Sequence, residues 1–527
     1  MNSNNDNITT YQRHHNAGKH HHTKGSALII ALVTISVLTL VASVVLDTVV
    51  TKYTTTFQAA GWQESLLAAE AGGDVAMMHV RNSVTDVAFG DVYDWTGKGW
   101  TDVSYQDSNG ITVEAYSYTS SNLGTFSHGG EGATDMSFSI LVDMPPELID
   151  SRDRQWFRIV SVGTVDMPHN LRRTSNDSRD TELRRLDFRI DDWKAANDPD
   201  TVPPQASRTV EIIARPISPF RNAISSVDLI EMNNHNIVVD SYDSRLPGEA
   251  STASGLYDPA KRNHNGDVGT NGRILRAGNA QIYGDALTNG GTVSGAANVT
   301  GEQRSDYYQE LPSPSLPAGY MSTSTYVPLT RVSGRNPPPL ATLQASPTEH
   351  GARYDLSDVR LSGSDSIVIE ADPNASTSYV EIYINGDFAT TGNGKITVPD
   401  GVEAVIYVNG NLSISGNGVV NEGQHPTDLL LYGLEPPAGE TRRAVIAGNG
   451  GFSGAFYAPN YDLELRGGGN ADTVYGSFVA NTVFMNGVTS VHYDEALADK
   501  GPIIDYVAAS WFEKWKPSST AIARAAN

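Results

Sequence analysis

The sequence predicts a chain of mixed class, α+β followed by all-β. A long N-terminal transmembrane helix comes first, then an antiparallel β module, then a parallel β-helix (solenoid). Three observations carry this reading. Residues 27–46 hold no charged side chain. Runs with period-two apolar alternation fill residues 84–220. From Phe220 onward, short apolar runs recur beside Gly-Asn corners. The divisions are 1–25, a basic leader; 26–83, the helix; 84–220, the β module; 221–305, the first β-helix coils; 306–352, a Pro-rich insert or linker; 353–498, the main β-helix; and 499–527, an amphipathic helix and tail.

About twenty apolar residues at a 1.5 Å rise span a hydrocarbon core of roughly 30 Å. Ala27, Leu32, Val37, Val41 and Leu46 mark the lipid-facing run. The leader carries Arg13, Lys19 and Lys24 against Asp6, an excess that keeps the N-terminus in the cytoplasm and sends the rest outside. A secretory signal has an apolar stretch of about 7–15 residues and a small-residue cleavage site. This stretch is longer, and no A-x-A site follows at its end. Leu46, Val50, Tyr53, Phe57, Ala60, Leu67, Ala71, Val75 and Met78 continue at steps of three and four, broken by Glu64. The pattern predicts one helix, its first half in lipid and its second half packed on a soluble body. Gly61 and Gly72-Gly73 are weak spots where it would bend or end.

The run KGSALIIALVTISVLTLVASVV, followed by ESLLAAEAG, resembles the N-terminus of PilX-type pilus assembly proteins. These belong to the type IV pilin and pseudopilin superfamily. The resemblance implies that a prepilin peptidase cuts between Gly25 and Ser26, and that the exposed helix joins a filament core. Most pilins carry a Glu five residues into the mature chain; Ile30 stands there here. An uncleaved signal anchor is the alternative.

Composition excludes some classes. With 37 basic and 60 acidic residues the net charge is −23, which disfavours nucleic acid as a partner. There is no cysteine, so neither disulfides nor thiolate metal sites can form. Forty-nine glycines and 26 prolines suit turn-rich β structure.

In the β module the alternating runs are 111–116, 136–142, 156–162, 186–190 and 208–214. About five strands after a long helix is the plan of an antiparallel sheet with the helix on one face, the headgroup that the pilin resemblance implies. Residues 167–181 and 191–205 are polar loops. Arg172, Arg173, Arg179, Arg184 and Arg185 form a basic cluster, read as a solvated loop, with contact to an acidic subunit or a polysaccharide as the functional alternative.

Beyond Phe220, apolar runs with Gly-Asn corners occur at 277–295, 383–398, 404–420, 444–460 and 466–487. Gly392, Gly416, Gly448 and Gly468 lie 24, 32 and 20 residues apart. Repeats in this range mean an array, here coils whose inward Val, Ile, Leu and Phe stack while Asn ladders at the turns. A β-sandwich is the alternative. Residues 240–244, 265–272, 455–460 and 491–497 resemble parts of the β-helical domain found behind PilX-type N-termini. Prolines 312, 314, 317 and 337–339 predict an extended excursion that either interrupts one domain or separates two. Residues 503–517 place Ile504, Val507, Ala508, Trp511, Phe512 and Trp515 at helical spacing, predicting a helix that caps the array.

No residue is assigned to catalysis, cofactor or metal. The carboxylate pairs Asp240/Asp243, Asp267/Asp285 and Asp494/Glu495 sit beside glycine corners and read as turn caps, not as a glycosidase pair. Residues 263–267 (NHNGD) depart from a calcium loop, and the leader histidines 14, 15 and 20–22 read as solvated. No H-E-x-x-H, G-x-S-x-G or Walker motif occurs. The sequence thus predicts a non-enzymatic minor pilin or pseudopilin of the inner membrane, its body periplasmic or at the cell surface. Its partners would be membrane lipid, other pilin subunits, a prepilin peptidase and surface polysaccharide. The alternatives are a membrane-anchored β-helical lyase or hydrolase and an anchored adhesin.

Overall fold

The computed structural model describes residues 23–85, 93–107, 109–127, 133–148, 156–166, 205–233, 237–332, 337–447, 451–467, 472–487 and 489–514. The leader 1–22 with its histidines, the arginine cluster 172–185, the run 186–190, the corners Gly448 and Gly468, and Trp515 lie outside the described residues.

The chain divides into two compact units, Met1–Ala68 with Ser121–Ser137 and Gly163–Arg208, and Ala69–Ser120 with Phe138–Val162 and Thr209–Asn527. One α-helix, Thr23–Thr85, contributes to both. In the first unit the Arg208 guanidinium lies over the Trp62 ring at 4.5 Å, a cation–π contact.

The helix passes through Gly61, Gly72 and Gly73 without a break. The last two serve approach, not bending. A Cβ on Gly72 would lie 2.2 Å from Ser161 Oγ, and one on Gly73 would lie 2.8 Å from Ile212 Cδ1. The buried stripe is Gly61, Ser65, Ala68, Ala69, Gly72, Gly73, Ala76 and Val80. That corrects the expected face. Leu67 and Met78, assigned to it from apolar spacing, are exposed. Small side chains win the contact because they let backbones come close, and a count of large apolar residues overlooks them.

A six-stranded sheet runs in the order Thr101–Asp102, Ala115–Ser127, Ala133–Asp143, Phe157–Asp166, Gln205–Ile217, Asp505–Lys514. The pairs at its two edges are antiparallel. Phe138, Ile140, Phe157, Ile159 and Ile212 form buried alternating positions. Arg158 grips the fully buried Asp143 through both Nε (2.9 Å) and Nη2 (2.5 Å), and Tyr105 OH donates to the same carboxylate at 3.0 Å. A buried carboxylate so bound carries no uncompensated charge.

The last strand is a second correction. Residues 503–517, expected as a capping helix, instead form Asp505–Lys514 along Gln205–Ile217, with Asp505 opposite Ile217 and Lys514 opposite Thr209. The helical spacing of Ile504, Val507 and Trp511 loses to an open sheet edge whose backbone groups need partners. Residues 218–504 are therefore inserted between two neighbouring antiparallel strands. Ile504 N donates to Ile217 O at 2.9 Å, and Tyr493 OH to Phe220 O at 2.7 Å, so the insert leaves the sheet where it entered.

The insert is built of parallel ladders. Ser378–Ile384 pairs in register with Val402–Val408, which pairs with Leu429–Gly433; Phe388 lies beside Leu412, and Lys395 beside Gly418. Val380, Ile382 and Ile384 thus stack on Ala404, Ile406 and Val408, all buried. Corners stack likewise. Gly416 (φ 68°) sits against Gly392 (φ 61°), where a Cβ would lie 2.0 Å from Gly392 O. Asn409 Nδ2 reaches Asn385 Oδ1 at 3.3 Å.

The order of layers differs from the order of the chain. Ile224–Met232 pairs on one side with Val268–Thr270, which leads through Ala286–Leu287 to Gln303–Arg304. On its other side it pairs with Phe478–Asn486. That strand continues the ladder through Ala455–Arg466, Leu429–Gly433, Val402–Val408, Ser378–Ile384 and Arg353–Leu356 to Thr325–Tyr326. The chain enters at a middle layer, builds to one end, crosses to the other end and winds back. Residues 307–320 make the crossing. Tyr307 OH accepts from Asn222 Nδ2 (2.8 Å), Tyr457 OH donates to Pro312 O (2.6 Å), and Tyr320 OH donates to Tyr354 O (3.0 Å). From Thr288, whose carbonyl accepts from Tyr307 N, to Tyr354 the passage covers eight strand steps, roughly 38 Å at about 4.8 Å each. Thirteen extended residues reach about 43 Å, so this segment must stay nearly straight, as its prolines hold it.

Replacing residues 219–503 by a short Asn-Gly turn should leave the antiparallel sheet intact. Hydrogen exchange would then retain protection in 505–514; its loss would mean that the insert is needed to hold the edge strand.

Candidate functional site

The feature that stands out chemically is the first half of the helix. Ala27, Leu32, Val37, Val41 and Leu46 all lie on it and all are exposed, Leu32 at 63%, Val37 at 54% and Leu46 at 65%. Its most apolar window has a mean hydropathy of 2.8 and none of it is buried. A core helix of similar composition would be covered by its own fold. Three hydroxyls in the run need no outside partner: Thr34, Ser36 and Thr39 donate to the carbonyls of Ile30, Leu32 and Ile35 at 2.7–2.8 Å. In hydrocarbon an unsatisfied hydroxyl is costly, and this back-bonding removes the cost. Among the described residues this is the one helix long and apolar enough to cross a membrane. The backbone at Gly25 and Ser26 is already helical.

The apolar exposure does not stop with the lipid-length run. Val50 (53%), Tyr53 (59%), Leu67 (58%) and Met78 (49%) continue it beyond Asp47. An anchor needs about twenty residues. Val50 and Tyr53 lengthen the exposed run by about two helical turns, and Leu67 and Met78 stand singly beyond it.

The carboxylates are brought together, but as fasteners. Val491–Asp494 lies in parallel register with Val239–Tyr242. There Asp240 accepts from Tyr257 OH at 2.8 Å, contacts His492 Nδ1 and lies 3.8 Å from Arg262. The Tyr257 ring stacks on His492 at 3.8 Å. Asp243 binds Arg245, which also binds Asp499. Asp494 Oδ1 accepts from Ala496 N and Ser244 N, and Glu495 accepts from Ser241 Oγ and Asn263 Nδ2. Burial raises the pKa of Asp494. Asp267 accepts from Asp285 N, and Asp285 from Glu302 N, each a layer apart. Among the described residues no group of three or more His, Asp or Glu is arranged to hold a metal ion. His492 was not singled out in the sequence; its position opposite Asp240 depends on the ladder, which no local pattern announces.

Residues 333–500 match a family described as a domain of unknown function (DUF7305), less than half of the chain. No curated protein matches. Among solved structures, the competence-associated pilin ComZ from Thermus thermophilus is similar at 11% identity, covering 86% of this chain and 97% of its own, with a TM-score of 0.22.

Two outcomes follow. Val37→Arg places a charge at the centre of the apolar run, costing about 2.5–3.5 kcal/mol of insertion; membrane flotation should show the variant shifted to the unbound fraction, while a surface Thr342→Arg stays bound. Burial of Asp428 pushes its carboxyl up to about 6. Because that pKa lies above the unfolded value, its contribution is full below about pH 4 and is lost as pH rises through 6. Asp428→Asn should therefore melt like the parent at pH 4 and higher than it at pH 7.5, by at most about 3 kcal/mol.

Proposed function

We propose that this protein is a non-enzymatic, PilX-like minor pilin or pseudopilin that takes part in assembling a type IV pilus or type II secretion filament. The observation that carries the reading is one helix that is apolar and uncovered from Ala27 through Tyr53 and then buries a small-residue stripe, Gly61 to Val80. Lipid covers its first half. The second half, outside lipid, is covered by the helices of other pilin subunits.

In this reading the leader up to Gly25 stays in the cytoplasm, a prepilin peptidase cuts before Ser26, and the body stands on the far side of the inner membrane. Residues 26–217 and 505–514 form the pilin-like unit. Residues 218–504 form one parallel β-helix; in-register parallel pairing across successive layers and laddered Gly, Asn and Asp corners support that reading. Its action is to assemble and to present a surface, with no reaction assigned.

The test uses the absence of native cysteine. Leu67→Cys and Met78→Cys, expressed in the native membrane, should cross-link to other pilin-like chains, while Thr342→Cys on the insert should not. The mature chain should begin at Ser26 by N-terminal sequencing. A retained leader together with no helix cross-link would leave a simple anchor.

A further inference from the structure

The polar cleft of about 340 Å³ at the end layer of the insert, lined by Thr323, Thr325, Gln344, Ser346, Arg353 and Tyr354, has no part in the filament reading. Its position is built by three short strands, Thr325–Tyr326, Ala341–Gln344 and Arg353–Leu356. Tyr354 OH fixes two of them, donating to Gln344 O at 2.9 Å and accepting from Gln344 N at 3.0 Å.

The charges at the cleft cancel internally. The buried Glu381 carboxylate accepts from Arg353 Nε at 2.7 Å and from His350 Nδ1 at 2.5 Å, and Arg353 Nη1 donates to Thr323 Oγ1 at 3.1 Å. The carboxylate can only accept, so Nδ1 carries the proton. His350 adopts φ 61°. A non-glycine residue held there is strained, and such strain persists where the surroundings over-determine it. Gly351 beside it leaves room a Cβ would take from Ser346 Oγ, at 2.2 Å. The loop 346–353 is thus a shaped wall.

Among the described residues Arg353 Nη2, Thr325 Oγ1 and Gln344 Oε1 have no hydrogen-bond partner, although only about a tenth of the Arg353 side chain is exposed. These donors and acceptors have no partner among the protein's described residues. A cleft at the low end of ligand-sized volumes, about 300–1,000 Å³, with almost no apolar wall does not suit a lipid or an apolar peptide. The Arg353–Glu381 pair adds no net charge to the cleft, so no excess positive charge is left there to draw an anion in preference to a neutral ligand. Nucleotides are further disfavoured by the acidic chain.

We propose that this cleft binds a neutral, hydroxyl-rich ligand, a saccharide unit, through Arg353, Thr325 and Gln344, with the His350–Glu381 pair fixing the position of Arg353. The site stands whether or not the helix enters a filament. The test is titration of the whole protein, held in lipid nanodiscs, with the methyl glycosides of glucose, galactose and N-acetylglucosamine and with glucuronate, read by saturation-transfer NMR. At least one neutral glycoside should bind, with a Kd of about 1 mM. The exposed double variant Thr325→Ala/Gln344→Ala should weaken it about tenfold with an unchanged melting temperature, and Thr292→Ser, exposed among the layers at the other end of the insert, should not. No neutral glycoside binding, glucuronate binding alone, or binding indifferent to the double variant would each overturn the proposal.

Discussion

The ladder between Phe478–Asn486 and Ile224–Met232 is the contact on which the arrangement of the insert depends. It joins the last wound layer to the first. Without it, layers 224–304 and 325–486 would each offer an unpaired parallel strand to solvent, a template for pairing with other chains. With it, one continuous ladder remains and both ends of the insert fall in the same region. The strands Gln205–Ile217 and Asp505–Lys514 can then stay neighbours although nearly three hundred residues separate them. Asp240 with His492, Tyr493 with Phe220 O, and Ser477 Oγ with Asn222 O lock that junction from three sides.

Entering at a middle layer has a topological cost, met by residues 307–320. The chain must pass across layers whose own backbone groups are already paired, so the crossing segment can neither join their ladders nor coil. Proline suits it because it offers no N–H that would need a partner. Where the crossing touches, it does so through side chains: Tyr457 on Pro312, and Asn460 Nδ2 on Ser313 Oγ at 2.7 Å. Tyr383, Tyr407, Tyr432 and Tyr457 stand in one column by register, and Tyr320 packs against the first two at 6.3 and 6.0 Å. The column supplies the crossing with a wall of rings.

Much of this was legible. The apolar run, the strands at 136–142, 156–162 and 208–214, the Gly-Asn corners and the extended proline segment are all local signals, and local signals survive in a single sequence. What was not legible is pairing between distant segments. Residues 505–514 have both helical spacing and strand-forming residues; only the vacant edge of 205–217 decides between them. The helix contact face was misread for a different reason. Gly72, Gly73 and Ala76 have little area to score, yet close packing prefers them, and the larger Leu67 and Met78 are left outside. Whether 221–305 and 353–498 belong together could not be read from composition, because the strand opposite Ile224 lies more than 250 residues away. The polar cleft went unnoticed because Thr325, Gln344 and Arg353 are unremarkable alone and converge only in three dimensions.

Several aspartates of the insert serve as acceptors that link one corner to the next. In a parallel stack each corner brings a backbone amide of one layer over the corner of the layer before. Asp358 Oδ1 accepts from Asp387 N, Asp387 Oδ1 from Asn411 N, and Asn411 Oδ1 from Arg443 N, at 2.9–3.0 Å. Each side-chain oxygen satisfies the donor above it, and each corner carries a short acceptor in turn. Asn and Asp do this equally well in geometry, but runs of Asp alone would stack like charges. The ladder mixes the two and sets Arg360 against Asp387 at 2.8 Å. Amide donors also hold Asp387 below the usual carboxylate range. Carboxylates placed in this way keep their charge while serving as structural acceptors, which is why these acids of the insert belong to its backbone hydrogen bonding and not to a reacting site.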